Sequence, residues 1–181
     1  MTTFVPDSRR IWDLGDTKVP YFIIVIFGMT DKTKIEKLVS EFIHGSELFL
    51  VAVRVSATGR ITVLADRKGG ITIEECAEIS KFLEKNLDRE VEDFELMVSS
   101  PGLDMPFLVI EQYYKSEGNR IEVVDTGGSK ITGILKNVTA GGFELETEEK
   151  KKKGMGKAIE KKDVSFNYEQ VKSAREVLII K

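Results

Sequence analysis

The fold of this chain is largely decided by the stretch Val98-Ser99-Ser100-Pro101-Gly102-Leu103-Asp104-Met105-Pro106. From Phe94 onward the preceding residues alternate between apolar and polar, which is typical of a strand with one buried face. Pro101 fixes φ for the second position of a turn, and Gly102 supplies the positive φ of a type II turn. Asp104 is placed to bond backbone N–H groups of that turn. We therefore expect a strand that stops abruptly at a rigid turn.

The residues before this stretch predict two helices and two strands. Apolar positions at helical spacing between 35 and 43 predict a first helix, with Thr33 and Glu36 as its capping box. Alternating residues predict strands at 49–55 and 61–65. A second helix follows a short glycine loop.

The second predicted helix opens at a capping box formed by Thr72 and Glu75 and ends near Asp88. Its apolar stripe includes Cys76, which we interpret as a packed core thiol. The resulting order α-β-β-α-β predicts two helices on one face of a small sheet, a two-layer α/β domain over 29–106.

After a predicted linker helix at 107–117 the sequence changes to short strands separated by glycine turns. A small SH3- or Sm-like β-barrel is the expected fold of 118–181. The fold class is therefore α+β. Five strands are predicted, at 120–125, 130–138, 143–147, 164–166 and 177–180.

Composition limits the class of protein. The chain has 181 residues, 41% hydrophobic and 31% charged, with one cysteine, which indicates a globular protein of a reducing compartment such as the cytoplasm. Its net charge of −3 is unevenly spread. Residues 29–106 hold 10 basic and 15 acidic side chains, whereas 107–181 hold 14 and 12. An acidic first half favours a basic partner.

Residues 1–28 have a different sequence pattern from the rest of the chain. The apolar run at 19–27 is too short to span a bilayer, and acids before it make a poor signal peptide. We expect no membrane association. An alternative start of translation at Met29 would make 1–28 an upstream extension without a fold.

No catalytic constellation is evident. His44 is the only histidine, and Ser99 and Ser100 lack a nucleophile elbow and a recognisable base. One cysteine and one histidine exclude the common zinc sites, and the glycines near Lys157 lack the frame of a phosphate loop. We predict a protein that is not an enzyme and that has no cofactor and no metal.

Two basic segments are candidates for phosphate contact. The first is a predicted loop between barrel strands that carries Lys150, Lys151, Lys152, Lys153 and Lys157. It is either a solvated charged loop or a flexible contact to RNA phosphate without sequence preference.

The second segment is Arg67-Lys68-Gly69-Gly70, ahead of a helix N-terminus. Its cations and the free N–H groups of the helix could hold phosphate. Equally, Gly69 and Gly70 could serve only to turn the strand into the helix.

Two blocks resemble the RimP family of bacterial ribosome maturation factors. The opening stretch is similar to that family's V-S-S-P-G-L-D signature followed by one residue and proline. The block Asp66-Arg67-Lys68-Gly69-Gly70-Ile71-Thr72-Ile73-Glu74-Glu75-Cys76-Ala77-Glu78-Ile79-Ser80 is similar to its D-x-x-G-G-[VI]-T-x-[DE]-[DE]-C-x-x-[VI]-S pattern. The order and separation of the blocks also agree. One departure is Met105, which stands where the family usually has arginine; methionine cannot make the bidentate contacts of a guanidinium.

The resemblance implies an assembly factor for the small ribosomal subunit. It would bind the immature particle, a basic small-subunit ribosomal protein and ribosomal RNA, and act by binding and release. An alternative is an Sm-like RNA-binding module that acts outside the ribosome. The family signature supplies the remaining candidate contacts, which are Ser99, Ser100, Pro101, Gly102, Leu103, Asp104 and Pro106.

Overall fold

The computed structural model describes residues 31–87, 93–153 and 156–177, with the side chains of 149–153 and 156–160 outside this description. The predictions made for residues 1–28 lie outside the described residues. Within the described part the chain forms two sheets and three α-helices, a mixed α+β fold.

The first sheet has three strands with two helices packed on it. The elements in chain order are α1 (Lys32–Ile43), β1 (Phe49–Val55), β2 (Arg60–Asp66), α2 (Ile73–Asn86) and β3 (Glu95–Ser99). The sheet order is β1-β2-β3, with β2 antiparallel to β1 and parallel to β3. The parallel pair requires a crossover, and α2 provides it.

Both helices bury their apolar stripes in one core. Ile35 and Val39 of α1 and Ile79 and Leu83 of α2 are fully inaccessible to solvent. The strands contribute the inward residues of their alternating patterns, which are Val53, Ile61, Val63 and Ala65. Cys76 is half-buried rather than a fully packed core thiol.

The two helix N-termini differ from each other in how well they were predicted. In α2 the Thr72–Glu75 capping box is confirmed, with Thr72 N–H donating to Glu75 Oε2 at 2.8 Å and Glu75 N–H to Thr72 Oγ1 at 3.2 Å. In α1 the predicted box at Thr33 is wrong. The cap is Asp31, whose Oδ1 accepts from Thr33 N–H at 3.0 Å, because its carboxylate lies one residue ahead of the first helical residue.

This cap gives a first testable prediction. Asp31→Ala should lower the free energy of unfolding by about 1 kcal/mol, since the N–H of Thr33 loses its acceptor. Thr33→Ala, two residues later in the chain, should change the free energy of unfolding by less than about 0.5 kcal/mol. Urea denaturation followed by circular dichroism measures both. Equal losses in the two variants would mean that Asp31 is not the cap.

The second sheet has five antiparallel strands preceded by a short helix. The elements are α3 (Ile110–Lys115), β4 (Arg120–Asp125), β5 (Lys130–Thr139), β6 (Gly142–Lys153), β7 (Gly156–Asn167) and β8 (Val171–Glu176). The strand order is β7-β6-β5-β4-β8. Among the described residues β7 pairs only with β6 and β8 only with β4, so the sheet is open and the closed barrel stays a prediction.

Strands β6 and β7 extend well beyond their predicted ranges. The segment predicted as a charged loop belongs to strands, because β6 and β7 stay paired from Gly142↔Asn167 to Lys153↔Gly156. Backbone hydrogen bonds do not require apolar side chains, so a hairpin can continue through a charged sequence. Of the strand predicted at 177–180 only Val177 lies within the described residues, so that strand stays a prediction. The last described strand is β8 (Val171–Glu176), which was not predicted. Its single buried residue is the small Ala174, so its alternation is weak.

The second sheet has its own core, centred on aromatic rings. Tyr113 of α3 lies 4.9 Å from Phe107, 5.1 Å from Phe143 and 5.1 Å from Tyr168, measured between ring centroids. Fully buried aliphatic side chains complete this core, namely Ile121, Val123, Leu135 and Leu145. The helix that was predicted as a linker thus packs against the second sheet through Tyr113. Where the domains divide stays a prediction.

Candidate interaction surface

The signature stretch forms an exposed turn at the end of β3. Leu96 and Val98 pack against the first core while Glu95 and Met97 are exposed, which confirms the predicted one-sided strand. Beyond the strand Gly102, Leu103, Asp104 and Pro106 are exposed, and Leu103 keeps 60% of its surface.

The turn itself lies two residues later than predicted. Met105 N–H donates to the Gly102 carbonyl at 3.0 Å, so Leu103 and Asp104 are its central residues. Gly102 does not have a positive φ. A Cβ at this position would lie 2.9 Å from Asp104 Oδ1, so the exposed Asp104 side chain would have to shift to accommodate it. The type II turn at Pro101 is therefore wrong.

Asp104 and its neighbours are free to contact a partner. Asp104 has no hydrogen bond or ion pair to any residue that the structure describes, contrary to the predicted bonds to the turn. Ser100 is exposed, and Ser99 and Pro101 are half-buried. Met105 is half-buried and supplies no charge for Asp104. A carboxylate left in water at the tip of a turn can accept hydrogen bonds from a cationic or N–H donor.

The loop at Arg67 is held closed by its own contacts. Arg67 Nη1 donates to Glu75 Oε1 at 2.9 Å, and Gly70 N–H donates to the Arg67 carbonyl at 2.9 Å. Gly70 has a φ of +85°, a conformation that favours glycine. The charge of Arg67 is thus balanced by Glu75, which leaves Lys68 as the exposed cation of this loop.

The junction between the two sheets contains a buried ion pair that sequence reasoning missed. Lys115 Nζ of α3 lies 2.6 Å from Asp66 Oδ2 at the end of β2, and the Asp66 side chain is only 4% exposed. Asp66 Oδ1 also accepts from the Arg67 N–H at 2.9 Å. Because 49 residues separate the partners, no local pattern could reveal the pair. The one indication of this pair in the sequence was that Asp66 is the first residue of the block that resembles the RimP family.

The signature also leads directly into the second sheet. Phe107 N–H donates to the Ala174 carbonyl of β8 at 2.7 Å, and the Phe107 ring contacts Tyr113. A cavity of about 260 Å³ lies between this segment and β8, lined by aromatic and apolar residues with Lys172. Burial raises the pKa of Tyr113 in its wall to about 12, so that hydroxyl stays protonated. The exposed turn is thus held at its start by strand β3 and at its end by the contacts of Phe107 with the second sheet.

The predicted lysine cluster lies on the β6–β7 hairpin. Lys150, Lys151, Lys152 and Lys153 belong to β6 and Lys157 to β7. The side chains of these five residues lie outside the described residues, so their contact with phosphate stays a prediction.

At the base of this hairpin, Glu146 balances two lysines. Its Oε1 accepts from Lys161 Nζ at 2.8 Å, and its Oε2 pairs with Lys136 Nζ. These charge-assisted hydrogen bonds lower the pKa of Glu146 from 4.5 to about 2 and raise that of Lys161. The basic character of the hairpin is therefore reduced where the structure describes it.

The lowered pKa of Glu146 predicts a pH dependence. The stabilisation that the ionised Glu146 carboxylate gives to the folded chain is fully present above pH 4.5. It is lost as the pH falls towards 2. The difference in Tm between the parent and Glu146→Gln should be constant above about pH 5.5 and shrink towards zero near pH 2. Thermal unfolding between these values tests this, with exposed Glu169→Gln as control. A difference that is independent of pH would contradict it.

The remaining chemistry of the described residues is sparse. No group of three or more His, Cys, Asp and Glu side chains within the described ranges is arranged to hold a metal ion. No helix in the part of the chain that the structure covers is long and apolar enough to cross a membrane. His44 is the exposed C-cap of α1, and burial together with Glu75 raises the pKa of Cys76, which disfavours a reactive thiolate.

Comparison with known proteins places these features in a family. The model of the RimP N-terminal domain matches residues 38–104, which hold both β2 and the signature strand. Ribosome maturation factor RimP of Porphyromonas gingivalis is 36% identical over 118 residues, 65% of this chain and 78% of that protein.

Two further relatives with the same name match a larger share of this chain. The Christiangramia forsetii protein is 32% identical over 147 residues, 80% of this chain and 95% of its own length. The Flavobacterium psychrophilum protein is 28% identical over 83% of this chain and 99% of its own length. The resemblance carried by the two sequence blocks is therefore confirmed, and the chain belongs to the RimP family.

Proposed function

We propose that this protein is a ribosome maturation factor that binds the immature small ribosomal subunit and assists its assembly in the cytoplasm. The observation that carries the proposal is the family membership, because relatives that align over nearly their whole length are named ribosome maturation factors. The protein would act by binding and release and not by catalysis.

Charge supports a basic protein as one partner. The half of the chain that forms the first sheet has five more acidic than basic side chains. Such an excess steers a lysine-rich ribosomal protein towards this half and weakens with added salt. Ribosomal RNA would repel it, so we assign the protein contact to the first half of the chain.

The exposed turn supports a contact at the junction of the two sheets. The residues at 99–106 combine an apolar Leu103 with Asp104, which has no partner among the described residues, on a backbone anchored at both ends. A preorganised turn loses little conformational entropy when it binds, which favours affinity. We propose this turn as a docking point on the immature particle.

The second half supports the RNA contact. Its basic residues exceed its acidic ones by two, and its lysines lie on a long hairpin. We propose that the second sheet with α3 acts as a small SH3- or Sm-like unit whose hairpin lysines, with Lys68, meet ribosomal RNA phosphate. Such contacts are independent of sequence and sensitive to salt.

Sucrose-gradient fractionation tests the proposal. The protein should sediment with precursors of the small subunit and not with mature particles, and a strain without it should accumulate those precursors at low growth temperature. If the protein is absent from small-subunit fractions and binds RNA elsewhere, the Sm-like alternative replaces the proposal. Normal subunit ratios in the deletion strain would also contradict it.

A further inference from the structure

A pocket of about 320 Å³ lies between the end of α1 and the start of α2. Its size is that of a small ligand site, for which about 300 Å³ is the lower end. It is separate from the signature turn and from the lysine hairpin. Its lining residues are Phe42, Ser46, Glu47, Leu48, Arg67, Glu75 and Glu78.

The apolar part of the pocket is preformed. The Phe42 ring packs on Phe82 with centroids 5.0 Å apart, and Leu48 packs against the first core. The loop between them is fixed by Ser46, whose hydroxyl donates to the Ile43 carbonyl at 2.6 Å and accepts from Leu48 N–H at 3.2 Å. The aliphatic stem of a side chain could therefore enter without rearranging the wall.

The rim of the pocket is negative. Glu75 is balanced by Arg67, but Glu47 and Glu78 are exposed and have no partner among the residues that the structure describes. The lining thus carries an excess of two negative charges. Phosphate would be repelled here, whereas an ammonium or guanidinium group would be attracted.

Arg67 forms part of the pocket wall and is itself held there by Glu75, whose Oε1 accepts from Arg67 Nη1 at 2.9 Å. Its Nε is buried away from solvent, so a ligand could not reach that donor without moving the wall. The polar contacts open to a ligand are therefore the carboxylates of Glu47 and Glu78, which suit the cation of a lysine or arginine.

We propose that this pocket binds a lysine or arginine side chain from an extended basic segment of a partner protein. The stem packs on Phe42 and Leu48, and the cationic head meets Glu47 and Glu78. This inference rests on the proposed function, in which a basic ribosomal protein is a partner, and it names the site that would hold it.

The probe is the peptide acetyl-Gly-Lys-Arg-Lys-Gly-amide, compared with a neutral version carrying norleucine and citrulline. Its affinity for the full-length chain is measured by NMR titration. Glu47→Gln/Glu78→Gln should weaken binding of the charged peptide about tenfold and leave the neutral peptide unchanged. Glu41→Gln/Glu169→Gln removes the same charge from exposed positions outside the pocket and should change affinity less than twofold. Circular dichroism shows whether all variants are folded.

The outcomes separate this inference from the proposed function. Equal binding by the pocket variant and its control would overturn the pocket, as would a single-stranded 12-nucleotide RNA that competes for the same residues. Sedimentation with small-subunit precursors is scored in parallel. If the protein sediments with precursors but fails the peptide test, only the pocket proposal is contradicted. If it binds the peptide but does not sediment with precursors, the proposed function is contradicted.

Discussion

Tyr113→Ala should lower the free energy of unfolding by about 3 to 4 kcal/mol, one of the two largest effects expected in this chain. The Tyr113 side chain joins α3 to the second sheet through three ring contacts and is only 7% exposed. Truncation would leave a cavity at the centre of that aromatic core, and the surrounding strands could close it only in part. Chemical denaturation of the full chain measures the loss.

The adjacent residue provides a matched control. Tyr114 lies on the same short helix and is 42% exposed, so Tyr114→Ala should cost less than about 1 kcal/mol. Tyr113→Phe keeps the ring contacts and should stay within about 1 kcal/mol of the parent. If the two alanine variants were equally stable, Tyr113 would not anchor the second core.

The second large effect is expected at the junction of the two sheets. Lys115→Met retains the aliphatic stem but leaves the Asp66 carboxylate buried without its cation. The free energy of unfolding should fall by about 2 to 3 kcal/mol, because an uncompensated buried charge is costly and Lys115 itself is 27% exposed. Urea denaturation compares this variant with Lys37→Met, which changes an exposed lysine of α1 and should be nearly neutral.

Removing the charge of Asp66 as well should restore most of the lost stability. In Asp66→Asn/Lys115→Met the amide oxygen can still accept from the Arg67 N–H, and no net charge remains buried. A double variant as unstable as Lys115→Met alone would show that the loss does not come from the unpaired charge of Asp66.

Sequence reasoning succeeded where the signal was local. The capping box of α2 depends on two residues three positions apart, and both hydrogen bonds are present. The helix stripes and the alternation in β3 are likewise periodic over one element, so their buried faces could be read directly. The first helix cap failed because Asp31 and Thr33 both suit the role, and geometry decides between them.

Failures arose where the deciding contact lies outside the local pattern. The turn after β3 lies two residues later than predicted, because it is closed by the hydrogen bond from Met105 N–H to the Gly102 carbonyl and Gly102 lacks the expected positive φ. Strand β8 was not predicted because its buried residue is the small Ala174, and the charged hairpin was predicted to be a loop. For β6, β7 and β8 backbone pairing with another strand set the outcome.

The amino-acid sequence alone determined the family, the two helices and the β3 strand, because motifs and periodic burial are properties of neighbouring residues. Only the tertiary structure decided the pairing of Asp66 with Lys115, the neutralisation of Arg67 by Glu75 and the pocket between α1 and α2. Those features join residues from separate elements, and their partners are chosen by how helices and strands pack rather than by spacing along the chain.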